Sequence, residues 1–401
     1  MTTLLDSLLA PLDADTFFRD YFGKQHLHVK GTAGRSAAIM MLPGLNALMS
    51  MTSVWSPQTL KLFVDRNPVP VADYCARTLA LGGDGTALRP DPDLVQDWIG
   101  KGASVILNDI DALAPGVRQF ANELQEATGG RSQANLYFSM AQRQAFGPHC
   151  DVHEVFAVHC HGEKVWNIYE NREDTPINHP SFQFGDAERA RRAGKVAEQV
   201  RMQPGDLLYI PRGRYHDALA SENGALHIAF GVTLPKPLDL LAIIWEAAVQ
   251  DPALRADLPH KSDGEALGKL LKQVGKKVEA ILGSKAAQQA AAKTVHDWPY
   301  AFKSYDLESR IKTPCAPAAK PAGSGSYRVS KTVRVVQQNG RPILTDGKQH
   351  VEVPRDIASQ VRFIMSRDSV SVAALKQQFP EMSEAAVAEL IQNMKAMRAI
   401  A

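Results

Sequence analysis

The 401-residue chain is predicted to fold around a mainly β sandwich or barrel with flanking helices, followed by a helical block and a small C-terminal α+β unit. Three observations predict this. Between residues 134 and 233 apolar residues alternate in short runs broken by Gly and Pro, the pattern of half-buried strands and not of a parallel α/β sheet. After Pro235-Lys236-Pro237 the apolar period becomes helical. Residues 313–326 are mostly Pro, Ala, Gly and Ser, a linker composition that sets the last 75 residues apart.

The first hundred residues read mainly as helices and loops. Aromatic spacing over residues 15–22, with Asp13 and Asp15 as caps, predicts a helix, and residues 26–30 alternate as a short strand. A second helix is expected over 117–127, stopped by Gly129-Gly130. Strands follow at 135–140, 152–159, 164–169, 196–202, 206–210, 215–220 and 226–233. Residues 238–250, 264–282 and 284–295 are amphipathic helices by pattern. In the last unit, residues 333–336 and 349–353 are expected to pair around Asn339-Gly340, before three short helices at 357–367, 370–379 and 383–397.

Composition excludes several classes. With 45% hydrophobic and 22% charged residues, wholesale disorder, collagen-like and coiled-coil architectures are not expected. Lys+Arg 45 against Asp+Glu 43 gives no general attraction to nucleic acid or an anionic membrane. The balance hides an asymmetry: from residue 311 onward 13 basic residues face 7 acidic ones, a net +6, so the preceding chain is net −4. The basic residues there are dispersed, so a nucleic-acid partner is not expected. Four cysteines without a C-x-x-C pair suggest a reducing compartment. No Lys or Arg precedes Arg19, so no secretory signal is expected. The longest apolar stretch, 238–249, carries Asp239 and Glu246 and falls short of the roughly 18 residues a membrane span needs. A cytoplasmic protein without a membrane segment is expected.

The informative segment is Gly147-Pro148-His149-Cys150-Asp151. In a strand, His-x-Asp would present both side chains on one face. An imidazole and a carboxylate, joined by a second His, form a facial triad that suits Fe(II) with open coordination positions. Alone, a His-x-Asp is close to what chance supplies among 12 His. A second His is available as His216, which opens a strand 67 residues later, after the turn Gln203-Pro204-Gly205-Asp206 and the strand Leu207-Leu208-Tyr209-Ile210. Lys164 and Trp166 share a strand face, and a lysine pointing into a barrel is costly without an anion. A surface lysine beside a turn is the plainer reading of that residue alone. His153, His159, Cys160 and His161 invite a zinc reading, but alternation leaves only two of the last three on one face, so structural roles are expected for most of them. His227 is a further pocket candidate, with a core histidine as the plainer reading.

In order and spacing, Gly147-Pro148-His149-Cys150-Asp151, Glu154-Val155-Phe156, Gly162-Glu163-Lys164-Val165-Trp166, Pro204-Gly205-Asp206, Tyr209-Ile210-Pro211 and His216 resemble the JmjC/cupin family of Fe(II)- and 2-oxoglutarate-dependent oxygenases, in particular its ribosomal-oxygenase branch. The likeness is strong over residues 1–235 and looser beyond. It implies a double-stranded β-helix (cupin or jelly-roll) core at 1–235, a helical dimerisation domain at 236–312, a linker at 313–326 and a winged-helix-like domain at 327–401. It implies His149, Asp151 and His216 as iron ligands and Lys164 as the residue holding the distal carboxylate of 2-oxoglutarate. Asn135, Tyr137 and Ser139 are then candidates for lining the co-substrate pocket. The implied reaction consumes O2 and 2-oxoglutarate, releases succinate and CO2, and hydroxylates a protein side chain, an Arg or His of a ribosomal protein by likeness; a homodimer is implied as well. Two alternatives stay open at this point: a hydroxylase of a small molecule or peptide, and a cupin-like metal-binding or regulatory protein without turnover.

Overall fold

The alternating runs become strands with boundaries shifted by a few residues. The computed structural model describes residues 2–79, 85–140, 146–221, 224–299, 306–312, 325–338, 341–346 and 350–401, in two units, residues 1–303 and 304–401. In the first unit the strands are β1 (Leu27–Val29), β2 (Leu60–Val64), β3 (Asn67–Pro68), β4 (Cys75–Leu79), β5 (Thr86–Pro90), β6 (Ser104–Leu107), β7 (Arg131–Ser139), β8 (Glu154–His161), β9 (Lys164–Arg172), β10 (Val196–Met202), β11 (Leu207–Ile210), β12 (Arg214–Ala220) and β13 (Ala225–Thr233). They form a large sheet of order β1-β11-β8-β13-β7-β6-β2-β3, a small sheet β10-β9-β12 and a separate β4-β5 hairpin. Among the described residues every strand pairing is antiparallel, including β13 with β7 and β8.

The two larger sheets pack face to face. Val155, Ala157, Leu208 and Ile210 of the large sheet meet Trp166, Ile168, Val200 and Met202 of the small one in a single buried cluster. The other face of the large sheet is covered by helices, among them Ala14–Asp20 and Pro115–Thr128. Asp13 caps the first by accepting from the Thr16 N–H at 2.8 Å. The second starts with Pro115 and ends at Gly129, whose φ of 68° supplies the left-handed cap. Their aromatic residues reach the sheet: Phe17 meets Tyr209 edge-on at 5.0 Å, and Phe120 meets Phe230 edge-on at 4.8 Å. Each such ring, fully buried, contributes roughly 1.5–3 kcal/mol.

The first hundred residues are mainly helix and loop, as expected, but they also carry short strands beyond the expected one at 26–30. β2, β3 and β6 extend the large sheet, and β4 and β5 pair with each other. β6, Ser104-Val105-Ile106-Leu107, is buried at every position, so it lacks the alternation by which a strand is read. β2 does alternate, with Leu60 and Leu62 buried around an exposed Lys61.

The turn before β11 fixes the sheet edge. The Asp206 carboxylate accepts from the N–H groups of Gly31 at 2.8 Å and Gln203 at 3.0 Å and lies 3.0 Å from His28 Nε2. Gly205 has φ 97°, and a Cβ there would stand 1.8 Å from the Thr32 carbonyl oxygen. Gly205→Ala is therefore expected to lower stability by at least about 2 kcal/mol, read from the midpoint of urea unfolding.

The helices Leu241–Ala248 and Gly264–Gly283 of the helical block have no buried residue, and Trp245 is 69% exposed. The following helix, Lys285–His296, leads to Trp298, which donates to the Thr233 carbonyl at 2.8 Å and lies 4.3 Å beneath the Arg131 guanidinium.

In the second unit Arg334–Gln338 pairs with Arg341–Thr345, which pairs in turn with His350–Glu352. The expected direct pairing of residues 333–336 with 349–353 is thus corrected: Arg341–Thr345 lies between them and pairs with both strands. Asn339-Gly340 and residues 313–324 of the expected linker lie outside the described residues. Helices Ala358–Met365, Val372–Gln378 and Glu384–Ala396 enclose this unit's own core of Val361, Ile364, Leu375, Leu390 and Ile391.

Candidate functional site

His149, Asp151 and His216 are brought together by backbone pairing. His149 and His216 form an isolated antiparallel bridge, with N–H···O distances of 3.0 and 2.8 Å, and the Gly213 N–H donates to the Asp151 carbonyl at 2.9 Å. The expectation that His149 and Asp151 share the face of one strand is corrected. Residues 149–151 precede β8 and bond to the loop and strand around β12. One ligand-type atom from each of the three side chains lies within 4.8 Å of the others, and His216 Nε2 is 3.5 Å from an Asp151 oxygen.

The two imidazoles are oriented by their own backbone. His149 Nδ1 faces the Gly147 carbonyl at 2.9 Å and His216 Nδ1 faces the Arg214 carbonyl at 3.0 Å. An Nδ1–H donated in this way leaves the Nε2 lone pair for a metal. Burial, reinforced by His149, pushes His216 down to about 4, so it is neutral at pH 7. Burial would raise Asp151, but the imidazoles of His153, His216 and His149 outweigh it and hold the carboxyl below its usual range. Asp217 alternates to the opposite face, where it accepts from Tyr169 at 2.6 Å and Asn167 at 2.7 Å and braces β12. Among the described residues this is the one group of three or more His, Cys, Asp or Glu side chains close enough to share a metal ion.

A cavity of about 150 Å³ adjoins the group and lies between the two sheets. Lys164 lies in its wall, 5% exposed. Its Nζ is 3.5 Å from Ser139 Oγ and 3.5 Å from His227 Nδ1, and no described acidic side chain pairs with it. Burial pushes the amine down to about 7. Asn135 and Tyr137 line the same cavity from β7; Ser139 does not line it but contacts Lys164. The Asp109 N–H donates to Asn135 Oδ1 at 3.2 Å, and the Asn135 side chain hydrogen-bonds to Tyr137. Tyr137 stacks on His227, with centroids 4.8 Å apart and planes 7° from parallel.

Sequence reading missed Gln133, Phe146 and Gly231 in the lining. Alternation along β7 would have found Gln133, two residues before Asn135. Gly231 makes room for a ring: a Cβ there would stand 2.7 Å from the His153 imidazole. The His and Cys cluster is dispersed as expected. His159 is buried and faces the Gly162 carbonyl at 3.0 Å, Cys160 is buried, and His161 is exposed. Cys150 packs with Tyr169, Ala193 and Tyr215, and burial, with Asp151 nearby, raises its thiol to about 11.

Residues 112–240, which contain the three-residue group and the lysine, match the family model of the JmjC domain. The chain is 28% identical over 266 residues to the bifunctional lysine-specific demethylase and histidyl-hydroxylase NO66 of Drosophila persimilis, covering 64% of this chain and 36% of the relative. It is 28% identical over 222 residues to ribosomal oxygenase 1 of Rattus norvegicus, covering 54% of this chain and 34% of the relative. The chain thus spans about a third of the length of these curated relatives. Among solved structures, the ribosomal oxygenase YcfD of Escherichia coli in complex with cobalt and 2-oxoglutarate aligns over 98% of both chains, at 13% identity and a TM-score of 0.45. Residues 112–240, which build the cavity, thus match the JmjC domain, and the chain is similar there to ribosomal-oxygenase-like JmjC proteins.

Proposed function

We propose that this protein is an Fe(II)- and 2-oxoglutarate-dependent oxygenase that hydroxylates a side chain of a ribosomal protein, an Arg or a His. One observation carries the reading. A buried lysine without an acidic partner among the described residues lines the same cavity as a His-Asp-His group whose imidazole Nδ1 atoms face backbone carbonyls, which leaves Nε2 for a metal. A buried cation lacking an anion is costly, and a dicarboxylate bridging cavity and metal removes the cost.

The donor set fits iron: two neutral imidazoles and one carboxylate, with the open positions of a facial triad. His149, Asp151 and His216 would hold the ion, and Lys164 would hold the far carboxylate of the co-substrate, with Asn135, Tyr137 and Ser139 about it. When bound, iron and 2-oxoglutarate supply the oxidative chemistry, in which O2 is consumed, succinate and CO2 are released and a C–H bond becomes C–OH. The remaining work belongs to the chain. The Gly147 and Arg214 carbonyls fix the tautomers of the two histidines. Asp151 supplies the one negative charge of the ligand set. Phe146, 5.8 Å from the His149 ring and 6.4 Å from the Tyr137 ring, adds an aromatic side to the cavity wall. Succinate release with Fe(II), ascorbate and peptides of ribosomal proteins tests the proposal. Peptide-stimulated release with a one-oxygen mass gain in the peptide is the expected result. Failure of the protein to bind either iron or 2-oxoglutarate would overturn it.

The same reading covers the rest of the chain, with a catalytic domain at 1–235, a dimerisation domain at 236–312, a linker at 313–326 and a winged-helix-like domain at 327–401 that contacts protein. It works as a homodimer in the cytoplasm. The apolar side chains Leu241, Trp245 and Leu271, all more than half exposed on the helical block, support the dimer. No helix of the described residues is long and apolar enough to cross a membrane. Light scattering is expected to give twice the mass of one chain, and Trp245→Glu with Leu271→Glu is expected to give a monomer.

A further inference from the structure

The protein has five tryptophans, and one of them is buried with its polar atom unused. Trp55 donates to the Leu48 carbonyl at 3.1 Å, Trp98 to the Asp73 carbonyl at 3.2 Å and Trp298 to the Thr233 carbonyl at 2.8 Å, while Trp245 is open to solvent. Trp166 is 4% exposed, and its Nε1 has no hydrogen-bond partner among the described residues. Buried indole N–H groups are ordinarily satisfied, so this one asks for an acceptor that the described residues do not supply.

Trp166 lies on β9 two residues after Lys164 and lines the same cavity. Its ring is 5.8 Å from that of His216 and 5.2 Å from that of His227. The Nδ1 atoms of both neighbours are engaged: that of His216 faces the Arg214 carbonyl, and that of His227 faces Lys164 Nζ. The indole therefore stands on the strand that leads from Lys164, against one histidine of the His-Asp-His group. A ligand that reaches from the lysine to that group passes it.

The geometry points to Trp166 as a second donor to the bound diacid, its Nε1–H reaching a carboxylate oxygen of 2-oxoglutarate. This rests on the function proposed above and adds to it a residue that selects an oxygen-rich chain over an apolar one of the same length. A charge-assisted bond of this kind changes affinity by roughly tenfold or more.

The test uses the full chain loaded with Zn(II) as a diamagnetic stand-in and labelled with ¹⁵N at the tryptophan side chains. Trp166→Phe, which keeps an aromatic ring and deletes the N–H, identifies the Trp166 indole signal by its loss. On titration with 2-oxoglutarate, that signal is expected to move downfield while those of Trp55, Trp98 and Trp298 hold still. Trp166→Phe is expected to bind 2-oxoglutarate about tenfold more weakly by calorimetry, with its Zn(II) content unchanged. If the wild type binds the diacid and the Trp166 signal does not move, the assignment is wrong, whatever the variant does. If the wild type binds no diacid at all, the function proposed above fails and this assignment with it.

Discussion

Replacing Asp151 by Ala is expected to abolish 2-oxoglutarate turnover and to weaken Fe(II) binding by at least about a hundredfold. Groups that merely orient metal ligands are worth 10–100-fold in affinity or activity, and a direct ligand is worth more. Asp151 is the only anion among the three side chains, so its loss leaves a divalent ion with two neutral imidazoles and no compensating charge. The fold has little to lose, because the backbone bonds that gather the site run through the Asp151 carbonyl and through His149 and His216, and Ala keeps them. Metal content after gel filtration, with far-UV circular dichroism as the folding control, checks the first part. His149→Ala is expected to behave similarly. Undiminished succinate release by the iron-loaded His149→Ala, Asp151→Ala double variant would refute the site.

Lys164→Met is expected to raise the KM for 2-oxoglutarate by roughly a hundredfold while kcat at saturation changes far less. Removing one member of a buried ion pair costs about 3 kcal/mol or more, which is two powers of ten. Lys164→Arg keeps the charge and is expected to recover part of the affinity, with a difference set by the planar guanidinium fork. The same amine makes binding pH-dependent. In the ligand-free protein it titrates at about 7 because it is buried, and a bound carboxylate favours its charged form. Above pH 7, binding must therefore take up a proton, and affinity is expected to fall by up to about tenfold per pH unit. Calorimetry at pH 8 in two buffers of different ionisation enthalpy reads that uptake directly.

The sign for stability is opposite. The folded value of about 7 lies below the ordinary 10.5 of an exposed lysine, so between those two pH values the unfolded chain binds more protons. This group's contribution to the stability of the ligand-free protein rises with pH through that window, and its full penalty is present below it. Lys164→Met removes the penalty and is expected to raise the melting temperature of the ligand-free protein at pH 7. The position is thus held at a cost in stability that a bound diacid would offset.

Much of this was legible in the order of residues. Strands β7 to β13 follow from short apolar runs, alternating in some and continuous in β8 and β11, set off by Gly/Pro punctuation. The helix that begins at Ala14 follows from Asp13, and the one that ends at Thr128 from Gly129, because a cap is a matter of four neighbouring residues. His149, Asp151, His216 and Lys164 were legible as candidates because the chemistry restricts which residue types can stand there.

Other features were decided only in three dimensions. β6 is buried on both faces and so carries no period. Residues 149–151 reach His216 through a backbone bridge spanning 67 positions, and no local pattern encodes such a pairing. A sequence shows that Lys164 and Trp166 are polar and share a face. It cannot show that, among the described residues, no acid reaches the one and no carbonyl the other, since that depends on every element packed around them. By itself the sequence offered His149, Asp151, His216 and Lys164 as candidates for a metal and a diacid. The tertiary structure decided that they meet at one cavity, because packing of two sheets face to face places residues far apart in the chain within bonding distance.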